Sequence, residues 1–433
     1  MSRKMKDSGI EWIGEIPEDW NVTKLNNLIV RISTGLNPRD NFLLGEGSNY
    51  YVTIKNFKCG KLFLDKNCDR VNDEAIGMIN KRSDLNEGDI LFASISKEAN
   101  IFLIPEKPIN WNINESIFTI RTNNSIFNNY FASYVFVSSY FYNNLLIDAT
   151  GSTFLSIKQN ALKANPVVVP TSDEQIEIAN YLDSRCTLID QTIEKQKQVI
   201  EKLKEYKQSV ITEAVTKGLN PNVPMKDSGI EWIGEIPEHW DVIKIKNLFS
   251  YIDCRNTQDE NAILLSLFTA IGVKPRSEME DKGNKAATVI GYKYVEKDDL
   301  IVNKLLAWMG AVAFSDYEGV TSPDYDVYRI KENANAVKDY YNCYFRFTKF
   351  KDDCFKYGHG IMMMRWRTYP SEFLNIFVVN PPKEEQEIIS QYVVKRNIEI
   401  DNAIETKEKV IEKLESYKKS LIFECVTGKR EVK

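Results

Sequence analysis

Two stretches of the chain repeat apolar residues at alternating steps of four and three. In the first, Leu182, Cys186, Ile189, Ile193, Gln196, Ile200 and Leu203 form one stripe. In the second, Val393, Asn397, Ile400, Ile404, Lys407, Ile411 and Leu414 form another. This alternation is the seam of a coiled coil. Each stretch follows a proline and opens on acids, Asp173-Glu174 and Glu384-Glu385, which favour a helix N-terminus. Gly218 and Gly428 stand near the ends as stops. A single seam cannot be buried alone, so the two helices are expected to pack on each other. Helices of about 40 residues would be roughly 60 Å long at 1.5 Å per residue. The polar Gln196 and Lys407 share one seam position, where polar groups fix register rather than do chemistry.

The segments ahead of these helices mix short strand-like and helix-like runs. Tyr50–Phe57, Asp89–Ile95 and Ile117–Arg121 read as strands, and Phe127–Leu146 as an aromatic-rich helix. Later, Ile263–Phe268, Leu300–Asn303 and Val327–Ile330 read as strands, and Lys338–Lys356 as a helix. Each segment closes with a short apolar run, Pro166–Val169 or Ile376–Val379.

The chain also repeats itself. Met5–Trp20 and Met225–Trp240 differ at one of 16 positions, Asp19 against His239. Pro170–Thr216 and Pro381–Thr427 align without gaps at an offset of 211 and share 22 of 47 residues. The shared residues include Glu174-Gln175 with Glu385-Gln386, and Val199–Leu203 with Val410–Leu414. Between these blocks, residues 21–169 and 241–380 have little sequence in common. A frame that stays fixed while its inserts diverge predicts one scaffold presenting two different readers. The expected fold is α/β (α+β) with a pseudo-two-fold internal repeat and two long coiled-coil helices packed on each other. Its domains are 1–170, a helix over 171–218, 219–380, and a helix over 381–433.

Composition narrows the function. The 433 residues are 43% hydrophobic, enough for packed cores, and carry a net charge of −5, which excludes a generally sticky polycation. That acidity lies in the frame. Residues 21–170 hold 15 basic and 13 acidic residues, and 241–380 hold 19 of each. Seven cysteines form no CxxC pair, and there are two histidines, so a disulfide framework or a zinc knuckle is not expected. No apolar signal core or membrane-length apolar run is present, and a soluble, cytoplasmic protein is expected. No GxxxxGK[ST] phosphate loop appears. Asn380-Pro381-Pro382-Lys383 resembles the start of an amino-methyltransferase motif but has Lys383 where the stacking aromatic belongs. Helix initiation explains those prolines better. Asp324 and Asp326 read as surface acids, not as a nuclease centre.

The layout resembles the DNA-specificity subunit of type I restriction–modification systems across nearly its whole length. The resemblance rests on the GIEWIGEIPExW blocks at 9–20 and 229–240 and on the helix openings at 170–175 and 381–386. Tyr206–Ser209 with Tyr417–Ser420, and Val215-Thr216 with Val426-Thr427, extend it. Asn303–Ala311 and Gly319–Tyr328 resemble stretches of a target-recognition domain, and the first variable segment lacks both. The resemblance implies two target-recognition domains, each reading one half of a gapped, asymmetric site in double-stranded DNA. It implies two long helices that pack antiparallel and set the distance between those domains, and no catalysis by this chain. It further implies two methylation subunits and restriction subunits as partners, which bring S-adenosylmethionine, ATP and Mg2+. The chain itself would bind no cofactor or metal and no membrane. A stand-alone gapped-site regulator and a coiled-coil scaffold that touches no DNA are the alternatives.

Base reading needs forked donors in a groove, and backbone holding needs Lys, Arg, Ser or amide groups. In the second variable segment these are Asn303, Lys304, Trp308, Ser322, Tyr325, Arg365 and Arg367. Trp308 and Tyr325 are as readily packing residues. In the first they are Lys55, Asn56, Lys58, Ser96, Lys97, Ser152, Thr153 and Lys158. Arg365→Ala is expected to weaken binding to the specific site and leave complex assembly intact. Titration of the cognate duplex at matched salt measures this, and unchanged affinity removes Arg365 from the set.

Overall fold

The protein is described from a computed structural model. It describes residues 3–58, 60–96, 98–147, 156–269, 271–279, 288–347, 349–361 and 366–432. The chain divides into two compact units. Met1–Gln196 with Lys409–Lys433 is one, and Lys197–Glu408 is the other. Each unit therefore takes a part of both long helices.

The two long helices are Ser172–Lys217, of 46 residues, and Lys383–Val426, of 44 residues. In the first unit, Ile178, Leu182, Cys186, Ile189 and Ile193 share a core with Leu421, Ile422, Cys425 and Val426. The start of one helix thus lies against the end of the other, and the pair is antiparallel. In the second unit the roles are exchanged, with Ala214 and Val215 beside Ile389 and Val393. Ion pairs repeat the exchange. Lys418 meets Asp190 at 2.6 Å in the first unit, and Lys207 meets Asp401 at 2.7 Å in the second. These are the same two positions of the repeat, 211 residues apart. Along the expected seam Leu182, Ile189, Ile193, Ile200, Val393 and Ile400 are buried. Leu203, Ile404, Ile411 and Leu414 are half-buried.

Each repeated block folds as a small hairpin, Met5–Asp7 with Glu15–Pro17 and Met225–Asp227 with Glu235–Pro237. Its closing tryptophan is fully enclosed, and the ends of both long helices converge on it. Trp20 Nε1 donates to Glu174 Oε2 at 2.9 Å, and Trp240 Nε1 donates to Glu385 Oε2 at 2.9 Å. Against the same rings lie Gly428 and Gly218, which end the long helices at φ +71° and +73°. A Cβ on Gly428 would stand 2.4 Å from Pro17, and one on Gly218 would stand 3.1 Å from Trp240. Glycine is thus required for both its left-handed backbone and its lack of a side chain. The single difference between the blocks falls here. Arg3 bridges Asp19 and Glu174 in the first unit, while His239 reaches Glu385 directly at 2.6 Å in the second.

The variable segments share a scaffold that their sequences conceal. In the first unit, strands run in the order Ile101–Leu103, Ile90–Ala93, Ile117–Thr122, Ile29–Thr34, all antiparallel. In the second, the order is Val312–Phe314, Leu300–Asn303, Tyr325–Ile330, Phe249–Ile252, also all antiparallel. A buried carboxylate holds the same corner in both. Asp89 takes Arg121 at 2.7 Å and Asp299 takes Arg329 at 2.8 Å. The residue before it has positive φ in each unit, Gly88 in one and Asp298 in the other. The last strand of each segment pairs with the strand after the tryptophan, Pro166–Val169 with Asn21–Lys24 and Phe377–Asn380 with Asp241–Lys244.

Several expectations need correction. The run Phe127–Leu146 is two helices, Asn129–Val137 and Ser139–Ile147, because Ser138 is extended at ψ 145°. Lys338–Lys356 likewise breaks at Phe347 (ψ 144°) into Lys338–Arg346 and Phe350–Tyr357. Folding back lets both faces of each aromatic run enter the core. Tyr50–Phe57 is interrupted by a 3-10 turn over Ile54–Asn56. Asp326 is no surface acid. Its side chain is 2% exposed and pairs with Lys293 at 2.8 Å. Asn380 serves the helix start, accepting from Tyr341 Oη at 2.8 Å and from Gln386 Nε2 at 3.1 Å. Trp232 of the second hairpin donates to Asp353 at 2.7 Å. Burial pushes the Asp353 carboxyl up to about 6.

Gln386 is fully buried and bonds Val337 N, Asn335 O and Pro381 O. Gln175 repeats this with Asn128 N, Ile126 O and Pro170 O. Gln386→Ala strands these backbone groups and is expected to cost about 1–3 kcal/mol. Urea unfolding checks this, and a loss near zero would mean the helix start does not depend on the glutamine.

Candidate nucleic-acid interface

In the second unit three separated stretches meet at one end of the central sheet. Strand Leu300–Asn303 leads into a loop through the 3-10 turn Ala307–Met309, which closes at Gly310 with φ +92°. Beside it strand Tyr325–Ile330 begins, with Tyr325 directly opposite Asn303. The third stretch is a narrow connection in which His359 and Arg367 exchange both backbone bonds, at 2.9 and 3.0 Å. It is tied to the first stretch by Thr368 N donating to Lys304 O at 3.0 Å. Thr368 Oγ1 also donates to Cys354 O at 2.8 Å, which anchors it to the helix behind.

The side chains at this end divide into those that shape it and those that face out. Asn303 is buried, and its Oδ1 accepts from Leu305 N at 3.1 Å, so it sets the loop's conformation. Lys304 is half-buried. Its ammonium lies 3.2 Å from Asp324, which is exposed, and it donates to Pro323 O at 3.5 Å. Ser322 Oγ accepts from Asp324 N at 3.3 Å and shapes the same turn. Tyr325 is half-buried. Burial raises its phenol, opposed by the positive charge of Arg276. Trp308 donates to Leu305 O at 3.0 Å and meets Phe355 edge-on at 6.2 Å. Phe355 stacks in turn on Trp366 at 4.7 Å and 17°. Leu306 and Met309 are exposed on the loop between them. Arg367 is half-buried beside this aromatic group. Arg365 lies outside the described residues.

The first unit builds the corresponding end with different chemistry. Ile157 N donates to Ser94 O at 2.8 Å, matching the Thr368–Lys304 bond, and Ile95 bridges Ser156. Lys158 is exposed at the start of helix Gln159–Ala164, as Tyr369 is at the start of Pro370–Asn375. Ser96 O accepts from Tyr142 Oη at 3.0 Å. Asn100 Nδ2 donates to Phe57 O at 2.8 Å, which brings the 54–58 turn alongside. On that turn Lys55 is exposed. Asn56 is buried, and its Oδ1 accepts from Thr53 N at 2.8 Å. It holds the turn rather than facing outward. Lys97, Ser152, Thr153 and the side chain of Lys58 lie outside the described residues.

Two groups were not singled out by sequence. Phe355 sits inside an ordinary helical pattern, and only the fold stacks it on Trp366. Arg70 lies 3.5 Å over the Tyr50 ring and donates to Ser48 O, a pairing across two strands that no local spacing signals. The described residues hold no cluster of His, Cys, Asp and Glu fit for a metal ion, and no helix long and apolar enough to cross a membrane.

Comparison with known proteins places this architecture. Residues 17–205 match the family described as type I restriction modification DNA specificity domain. The chain is 28% identical to the putative type I restriction enzyme MjaX specificity subunit of Methanocaldococcus jannaschii, across 97% of this chain and 96% of that one. It is 25% identical to the type I restriction enzyme MjaVIII specificity subunit of the same organism, across 96% and 94%. Among solved structures, a chain from work on complex assembly and conformational transition of the type I R-M system superposes with a TM-score of 0.71. It covers 96% of this chain and 99% of that one at 13% identity. The HsdS subunit of Thermoanaerobacter tengcongensis gives 0.55, with 96% and 98% covered at 13% identity. At such identities the structural likeness speaks for the fold. Across nearly its whole length the chain is similar to type I restriction enzyme specificity subunits.

Lys304 is held by a carboxylate, and a phosphate would have to displace it. Asp324→Asn removes that competitor. It is expected to raise affinity for non-cognate duplex and steepen the dependence on salt by about one counterion. Affinities across a salt series check this; an unchanged slope would mean Lys304 meets no phosphate.

Proposed function

We propose that this chain is the DNA-recognition subunit of a type I restriction–modification complex and binds a bipartite, gapped, asymmetric site. Each variable segment reads one half. The observation that supports this best is the shared four-strand scaffold with its buried Asp–Arg corner, set against end loops that differ in length and chemistry. A shared platform with divergent tips is what two readers of two different sequences require. Within this reading the candidate contacts sort by position. Lys55, Lys158, Lys304 and Arg367 supply charge near the surface, and Trp308, Ser322 and Tyr325 supply shape and hydrogen bonding. Asn56 and Asn303 hold the loops.

The chain acts without catalysis of its own. Two methylation subunits and the restriction subunits dock on it in the cytoplasm and bring S-adenosylmethionine, ATP and Mg2+. The near-neutral variable segments fit a division of labour in which partners supply much of the phosphate neutralisation.

The test is the methylome of a cell that carries this chain with its methylation partner. Modified adenines are expected in a two-part motif with unlike halves and a fixed gap. An undivided motif, or no modification that depends on this chain, would refute the reading. Exchange of residues 241–380 for those of a relative is expected to change one half of the motif alone.

A further inference from the structure

The second unit buries an ion pair that the candidate interface does not itself contain. Lys293 and Asp326 have side chains 2% exposed, with Nζ and Oδ1 2.8 Å apart. Lys293 also donates to Tyr251 Oη at 3.0 Å. Burying two charges is costly, and apolar replacement of such a pair is often neutral or stabilising. At the positions of the acid and of the tyrosine the first unit is apolar. By strand register Tyr328 faces Leu300 as Ile120 faces Ile90, so Asp326 corresponds to Phe118. In the same way Tyr251, opposite Tyr328, corresponds to Ile32, opposite Ile120. The scaffold therefore does not need charge at these positions.

What the pair joins is specific. Lys293 lies on strand Lys293–Val295, where its main chain is the register partner of Thr321 on Gly319–Thr321. Its ammonium holds Asp326, the second residue of strand Tyr325–Ile330. Between Thr321 and Asp326 lies only the turn Ser322–Tyr325, closed by Tyr325 N donating to Ser322 O at 2.9 Å. One residue thus grips both ends of that turn, by backbone at one end and by charge at the other. The turn carries Ser322 and Tyr325, and through Asp324 it sets Lys304.

We propose that Lys293, with Asp326, is a positioning pair that fixes the Ser322–Tyr325 turn for sequence reading by the second unit. This rests on the DNA-recognition reading given above. The pair touches no DNA itself. Phosphate contacts give general affinity, while discrimination needs side chains held in place before binding. Loss of the pair therefore costs discrimination at one half-site and leaves general affinity alone.

The test uses the full chain assembled with its methylation subunit and a pool of randomised duplexes, with the bound fraction sequenced. Lys293→Met/Asp326→Leu makes the Asp326 position apolar, as Phe118 is in the first unit, and avoids a lone buried charge. The wild type is expected to recover a two-part motif. The double variant is expected to keep one half and lose about tenfold in discrimination at the other, on the scale of one base contact. Its thermal midpoint and its affinity for non-cognate duplex should stay at wild-type level. An unaltered two-part motif would overturn the proposal, as would a double variant that cannot fold, since the pair would then be a requirement of stability. A wild type with no two-part motif would instead remove the DNA-recognition reading itself.

Discussion

Each unit is organised around one enclosed tryptophan. The indole N–H of Trp20 or Trp240 needs an acceptor once buried, and the first-turn glutamate of a long helix supplies it. The neighbouring glutamine, Gln175 or Gln386, then binds the backbone ahead of the aromatic helices. The far side of the ring is closed by the glycine that ends the other helix. Hairpin, variable segment and both helices thus meet at one point. Substitution there would separate parts that lie far apart in sequence.

This arrangement explains how the variable segments can diverge. What the frame demands of them is small: a final strand that pairs after the tryptophan, a carboxylate at one sheet corner with an arginine partner, and aromatic bulk for the core. Asp89–Arg121 and Asp299–Arg329 meet the second demand with the same geometry. Phe127, Phe131 and Phe136 meet the third in one unit, and Tyr340, Tyr341 and Tyr344 in the other. The loop ends are left free of these demands, and there the chemistry differs. One unit places Lys158 and the Lys55 turn at this end. The other places Lys304, a tyrosine and a stack of aromatic rings.

The candidate residues show what local pattern can and cannot tell. Lys55, Lys158 and Lys304 stand out by charge, and charge favours the surface, so they face outward or nearly so. Asn56 and Asn303 carry amide donors, yet a short amide in a turn is as well suited to bond its own backbone. Both do so. Asp326 looked like one surface acid among several. Nothing local to it announces a lysine 33 positions away in sequence.

The sequence by itself determined the duplication, the two long helices and their mutual burial. Those features are periodic or repeated, and periodicity is local. It also determined the likeness to type I specificity subunits, through the GIEWIGEIPExW blocks and the helix openings. Tertiary structure alone decided that two segments with little sequence in common share one strand order. It also decided where the aromatic helices break and which polar side chains hold turns rather than face solvent. These are settled by long-range pairing and by the cost of leaving a buried donor or acceptor without a partner. Those partners are found between residues scores of positions apart, where no spacing along the chain can show them.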